Sequence, residues 1–306
     1  MENVFNFFML SEIINEDINN ILDQIKSKFR IVYLDPPYYT QCDFGEFDDH
    51  WDSLDAYLCF MKKIMLKIPN VLEEDGVFVL HCDYHASHYL KTLGDIIFGY
   101  DNFANEIFTK RSAKNAGNAT RSLFINLDSL LIWYKSEKGR IETVPTRPLD
   151  KGERWSTLSA GGSGGPKLFF GEAIYPPSGR HFMWGQERID KEIESGNIRL
   201  NSNGTPMYRV TSDMQFLGTL WDDIPSYEVN GSYPTQKSLR LLQRIITTYS
   251  QPGDWIGDFM CGSGTTAVAA KSLGRNYICS DLNPNAYDMA CERVLSPSNI
   301  DDLYME

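Results

Sequence analysis

The stretch from Arg30 to Tyr39, R-I-V-Y-L-D-P-P-Y-Y, constrains the fold more than any other part of this 306-residue chain. Ile31 to Asp35 predicts a short buried strand, because β-branched and aromatic residues dominate and no helical period fits. Two prolines follow. Each lacks an N–H, holds φ near about −65° and biases its predecessor away from helix, so the strand must stop in a stiff extended loop. That loop carries the Asp35 carboxylate, the Pro36 carbonyl and the Tyr38 ring together. In a parallel α/β sheet, ligands sit at the carboxyl ends of strands, which makes this a site position. Two acceptors beside a flat π-face suit the amino group of a planar base. Asp-Pro-Pro by itself also serves as an ordinary turn, so a second element must carry the argument.

Residues 252–266, P-G-D-W-I-G-D-F-M-C-G-S-G-T-T, supply it: a turn, a short apolar strand and a glycine loop entering a helix from Ala267 to Leu273. Glycine loops before helices also cradle phosphates. Here the G-x-x-x-x-G-K pattern is absent, and Gly262 and Gly264 instead let backbone approach a bulky nucleoside closely. Asp281 lies 17 residues beyond Gly264, at the end of a strand from Tyr277 to Ser280, and is placed to accept from ribose hydroxyls. Helical spacing from Leu54 to Leu72, a strand from Val77 to His81 and a helix from Ser87 to Phe98 repeat the rhythm of a doubly wound sheet. An amphipathic helix from Leu239 to Tyr249 precedes the glycine-loop strand. Residues 10–28 have apolar positions near helical spacing and predict a packing helix. Residues 40–52 are acidic and aromatic without period, and predict a mobile loop beside the Asp35 loop that orders on binding.

The net charge of −12 argues at first against a nucleic-acid partner, whose phosphates dominate binding. Its distribution argues otherwise. Residues 105–210 hold 16 Lys and Arg against 11 Asp and Glu, a local +5 that leaves −17 elsewhere. Lys110, Arg111, Lys114 and Arg121 lie in a stretch, Ile107 to Asn126, with no acid. From 139 to 212 the texture turns to glycine, proline, aromatics and scattered arginine, Arg180 among them, with one helix expected from Glu187 to Glu194. That interval is too aromatic to be disordered. The six cysteines form no C-x-x-C pair, His81, His85 and His88 lack partners that would complete a metal set, and no run reaches membrane-spanning length. A soluble, cytoplasmic chain without metal is expected.

With its D-P-P-Y before the glycine loop, the chain resembles the β class of DNA amino-methyltransferases. Gly94–Asn102, Leu220–Pro225, Tyr233–Lys237 (Y-P-T-Q-K) and Gly274–Asp281 also match, so the resemblance covers most of the chain outside its middle. It implies an α/β fold, a doubly wound Rossmann-like methyltransferase sheet with a small inserted recognition domain. Residues 1–138 and 213–306 would form the catalytic and cofactor-binding domain, and 139–212 the target-recognition region. The strands Phe103–Thr109 and Ser129–Lys135 would be the antiparallel pair ending the sheet. S-Adenosyl-L-methionine would be the cofactor, held by Asp35, Thr235, Gln236, Lys237, Asp258, Phe259, Met260, Cys261, Gly262, Ser263, Gly264, Thr265, Thr266, Asp281, Leu282 and Asn283. Asp35, Pro36, Pro37 and Tyr38 would be catalytic. The family usually has Pro-Phe after the motif aspartate, whereas Phe259-Met260 stands here. The implied activity is methylation of adenine N6 in a flipped base of a specific double-stranded DNA site, within a restriction-modification or phage system. Cytosine-N4 methylation, usual with Ser in place of Asp35, and an inactive nucleic-acid-binding relative are the alternatives. DNA contacts fall to Lys110, Arg111, Lys114, Arg121 and Arg180, and a homodimer and a cognate restriction endonuclease are partners the resemblance leaves open.

Overall fold

A computed structural model describes residues 11–111, 126–148, 154–210, 214–228, 231, 233 and 235–296. The chain divides into two compact units, Met1–Pro145 with Leu217–Glu306, and Thr146–Phe216.

The first unit is built on eight strands: β1 (Glu12–Asn15), β2 (Phe29–Leu34), β3 (Leu72–Cys82), β4 (Phe103–Lys110), β5 (Leu127–Tyr134), β6 (Leu220–Pro225), β7 (Trp255–Asp258) and β8 (Asn276–Asp281). Their order across the sheet is β1-β8-β7-β2-β3-β5-β4-β6. β5 runs antiparallel to both neighbours, and every other adjacent pair is parallel. Both faces are covered, as the unbroken apolar runs require. Ile31, Tyr33, Val77 and Val79 point to one face, where they meet Leu242, Ile245 and Ile246 of the helix Leu239–Tyr249. Val32, Leu34, Phe78 and Leu80 point to the other, against Tyr57, Met61 and Ile64 of the helix Leu54–Met65 and Leu90 of the helix Ser87–Phe98. Each such buried aliphatic side chain contributes roughly 1.5–3 kcal/mol of transfer free energy.

Three expectations are corrected here. Residues 10–28 do not form one helix: Glu12–Asn15 is an edge strand paired with Ile278–Asp281, and the helix is confined to Ile18–Gln24, capped by Asp17. Ile13 and Ile14 therefore serve opposite faces of a strand, a period the longer helical spacing hid. The helix from Leu54 stops at Met65 and a separate turn, Ile68–Val71, takes over with Pro69 in its first turn, because proline cannot sit in a helix interior. The antiparallel pair does not end the sheet, since Leu220–Pro225 adds outside β4 in parallel.

Residues 139–145 stay with the first unit even though the sequence texture changes at 139. Glu142 binds the buried Arg30 at 2.9 Å, and Arg30 Nε donates to the Tyr249 carbonyl at 2.9 Å. The second unit holds short antiparallel pairings, the longest joining Ile198–Leu200, Pro206–Val210 and Arg154–Thr157. Its core is small: Leu158, Phe169, Phe182, Ile189 and Ile198, with Ile189 supplied by the helix Gln186–Glu194.

Candidate active site

The chain leaves β2 towards β3 on one side and reaches β7 on the other, so the connections diverge between β2 and β7. Loops leaving neighbouring carboxyl ends at such a switch point part and leave a crevice. A cavity of about 920 Å³ lies there, lined by the Asp35–Tyr38 loop after β2, the Asp258–Ser263 loop after β7 and Asp281–Asn283 after β8.

Both oxygens of Asp35 are engaged. Tyr38 donates its hydroxyl to Oδ1, and Lys237 Nζ donates to Oδ2. Burial, reinforced by the Asp35 carboxylate, pushes the Tyr38 phenol well above its ordinary value, so it stays a neutral donor. For Lys237 burial opposes the charge, but Asp35 and Tyr227 outweigh it and the ammonium is favoured. Its Nζ also lies 4.6 Å from the Tyr227 ring centroid and 5.4 Å from that of Tyr38. The Tyr38 ring stacks on His81 at 6.2 Å, and His81 Nδ1 is 2.8 Å from the Tyr33 hydroxyl.

Asp49 builds the loop that carries these groups. Its Oδ2 accepts from the backbone N–H of Tyr38 (3.1 Å) and Thr40 (2.8 Å) and from the Thr40 hydroxyl (2.7 Å). Its Oδ1 accepts from Tyr39 N (3.1 Å) and Trp51 Nε1 (2.9 Å). These bonds hold Tyr39 at φ 65°, while Gln41, at φ 59°, is tied through its own N–H to the Asp49 backbone carbonyl at 3.2 Å; non-glycine residues seldom occupy this region. Residues 40–52 thus have internal order, with Phe44 stacked on Phe47 at 4.8 Å and Glu46 tied to Asn283 Nδ2 through its carbonyl at 2.8 Å. Nothing local announced Asp49; one acid among five in a polar loop carries no period.

At the glycine loop, Gly264 has φ +75° and opens the helix Thr265–Ser272; a Cβ there would lie 2.6 Å from that of Ala290. Its absence lets this helix end pack on the helix Pro284–Leu295. Asp258 is buried, accepting from Met260 N at 3.2 Å and Thr266 Oγ1 at 2.5 Å, and burial pushes its carboxyl up to about 7. Asp281 accepts from Gly262 N at 2.8 Å and Asn283 N at 2.9 Å, while burial raises its pKa. Phe259 packs edge-on against Phe29 at 5.6 Å, with 1% of its surface exposed, and lines the cavity together with Met260. Thr235, Gln236 and Lys237 line the cavity with Tyr233 of the same Y-P-T-Q-K stretch and with Tyr227, which the motifs did not single out; Thr235 has φ 58°, a strained state for a β-branched residue. Leu282, Thr265 and the largely buried Cys261 also line the cavity.

The expected basic contacts separate. Arg111 is not a free surface cation: its Nε binds Asp128 at 2.6 Å and its Nη2 binds Asp83 at 2.8 Å, and the guanidinium lines the cavity. Lys110 is exposed, Arg180 lies on the strand Arg180–Phe182 with Nη2 on the Ser159 carbonyl at 3.1 Å, and Lys114 and Arg121 lie outside the described residues. Among the described residues no helix is long and apolar enough to cross a membrane.

Residues 29–292, from the first strand of the cavity to the helix beyond Asp281, match the model of the N6/N4 DNA methylase family. The type II methyltransferase M.EcaI of Enterobacter cloacae is 30% identical over 287 residues, covering 83% of this chain and 62% of that protein. A probable type III restriction-modification enzyme HindVI Mod subunit of Haemophilus influenzae is 26% identical over 363 residues, covering 90% and 48%. The chain therefore spans about half to three fifths of the length of these two curated relatives. The crystal structure of the M1.HpyAVI–SAM complex, 18% identical, shares the fold with a TM-score of 0.55 over 93% of this chain and 99% of that one. Because the match spans most of the chain, including the loops that carry Asp35, Asp258 and Asp281, this chain belongs to the N6/N4 DNA methylase family.

Proposed function

We propose that the chain transfers a methyl group from S-adenosyl-L-methionine to the N6 amine of an adenine extruded from duplex DNA. One observation carries the reading: Asp35, bracketed by Tyr38 and Lys237, faces the same cavity as the glycine loop and Asp281. The residues present fit the cofactor. Asp281 is fixed by two backbone N–H groups and keeps lone pairs for ribose hydroxyls, and the buried Gln236 Oε1 is an acceptor without a partner on the cavity wall. When bound, the cofactor supplies an electrophilic sulfonium methyl group.

The protein's own part is positioning. An exocyclic amine is a weak nucleophile because its lone pair is delocalised into the ring. Hydrogen bonds from its N–H groups to Asp35 and the Pro36 carbonyl favour sp³ character and aim that lone pair. Each Asp35 oxygen has a second lone pair beyond those taken by Tyr38 and Lys237, so the amine can be accepted without dismantling the pair. As the methyl group arrives the nitrogen becomes acidic, and Asp35 stands where it can take or relay the proton. Extruding a base costs a few kcal/mol, which stacking on an aromatic face, roughly 1–3 kcal/mol, offsets in part; Tyr38 is the face beside Asp35. Residues 146–216 would read the site, with Lys110 and Arg180 contacting the nucleic acid, and the chain would act in a restriction-modification setting in the cytoplasm, as a homodimer or beside a cognate endonuclease.

The test is mass spectrometry of nucleosides from DNA of cells expressing the wild-type chain or Asp35→Ala. N6-methyladenine with the wild type and none with the variant is expected. N4-methylcytosine in its place would refute the choice of base, and activity of the variant within tenfold of wild type would refute the role of Asp35.

A further inference from the structure

The hairpin Lys167–Phe169/Glu172–Ile174 turns through two residues, Phe170 and Gly171, at φ 52° and 87°. Positive φ at both central positions defines the type I′ turn, whose first position favours Asn, Asp or Gly. An aromatic there is conformationally disfavoured, and at 53% exposure Phe170 recovers little by burial. Its neighbours anchor the hairpin. Phe169 is 1% exposed and packs edge-on against Phe182 at 5.0 Å. The Gln186 side chain mimics a further strand, accepting from Leu168 N at 2.9 Å and donating to Leu168 O at 2.8 Å. The result is a braced, narrow ribbon that projects Phe170, with Leu168 (51% exposed) two residues before it and Tyr175 (73% exposed) beyond Ile174, at the end of the hairpin away from the turn. Strain of this kind, held by a rigid support, marks a residue kept for something other than stability.

We propose that Phe170 is an apolar wedge that enters the base stack of duplex DNA; this rests on the function proposed above. A two-stranded ribbon has the width to enter a groove, and apolar side chains inserted between base steps unstack them. Charge permits it: Arg154 to Gly185 holds Arg154, Lys167 and Arg180 against the one acid Glu172, and on the helix Gln186–Glu194 the acids Glu187, Asp190, Glu192 and Glu194 are offset in part by Arg188 and Lys191. Phe170 and Leu168 at one turn are far short of the roughly 800 Å² per partner of a stable protein interface.

The test uses the full chain, with Phe170→Asn and Phe170→Trp, and a duplex carrying the site mapped by methylation sequencing. Asn-Gly is the preferred type I′ pair, so F170N should melt at a higher temperature than wild type. It should nevertheless bind the duplex at least tenfold more weakly, whereas F170W, which keeps a wedge, should stay within threefold. With 2-aminopurine placed at each position in turn, wild type should brighten a step other than the target base, and F170N should lose that signal. Duplex affinity of F170N within threefold of wild type with unchanged brightening would overturn the proposal. So would a fall from dimer to monomer in sedimentation with duplex binding intact, which would place Phe170 between copies of the chain. No transfer by the wild type to any duplex DNA would instead overturn the functional reading on which the wedge depends.

Discussion

Replacing Asp49 by Asn changes one oxygen to an NH₂ group and tests whether this buried carboxylate holds the Asp35 loop together. The five donors that converge on Asp49 divide three to Oδ2 and two to Oδ1. An asparagine can keep its carbonyl towards the three, but its amide then faces the Tyr39 N–H and the Trp51 indole N–H, donor against donor. Leaving a buried donor unmatched costs about 1–3 kcal/mol, and because both of these are only partly buried the pair costs about 2 kcal/mol, the low end of that range for each. The positive φ of Tyr39 adds to the drive to open, since the Asp49 carboxylate holds its N–H there. The main sheet lies outside this loop, so the chain should stay folded while residues 37–51 exchange their amide protons faster. If the loop must be re-ordered for each transfer, even about 2 kcal/mol lowers kcat/KM by about thirtyfold. Hydrogen exchange read by mass spectrometry, together with tritium transfer from labelled cofactor, measures both. Unchanged exchange in residues 37–51, or kcat/KM within threefold of wild type, would refute the assignment of the loop's order to Asp49.

Asp281→Ala should weaken binding of the demethylated cofactor product by about 1.5–3 kcal/mol in calorimetry, through loss of charge-assisted hydrogen bonds. For Asp258, a folded pKa of about 7 above a reference of 3.8 means that folding takes up a proton between those values, so its unfavourable burial grows as pH rises through that window and is complete above it. Asp258→Asn should accordingly raise stability relative to wild type at pH 8 by up to about 4 kcal/mol, and by much less at pH 4, in urea melts. Arg111→Met leaves Asp83 and Asp128 without their cation and should cost up to about 3–5 kcal/mol of stability. Lys110→Ala should leave stability unchanged and reduce the salt slope of duplex binding by up to about 0.9.

The local chemistry of the chain determined most of its sheet strands, its glycine-loop helix and the two loops that carry Asp35 and Asp258. Proline stops, β-branched runs and a glycine-to-helix junction act over a few residues, and the helices Ser87–Phe98 and Leu239–Tyr249 follow their apolar period to the residue. Tertiary structure decided the rest. The strand Glu12–Asn15 exists because Ile278–Asp281 offers an unpaired edge 266 residues away, and no window around Glu12 contains that partner. Asp49 and Arg111 look alike in sequence, charged residues in polar stretches, yet the fold brings five donors to one and two carboxylates to the other. Lys237 meets Asp35 across 202 positions. A charge's role depends on which opposite charges and dipoles surround it once water is excluded, and that arrangement comes into being only when distant segments pack.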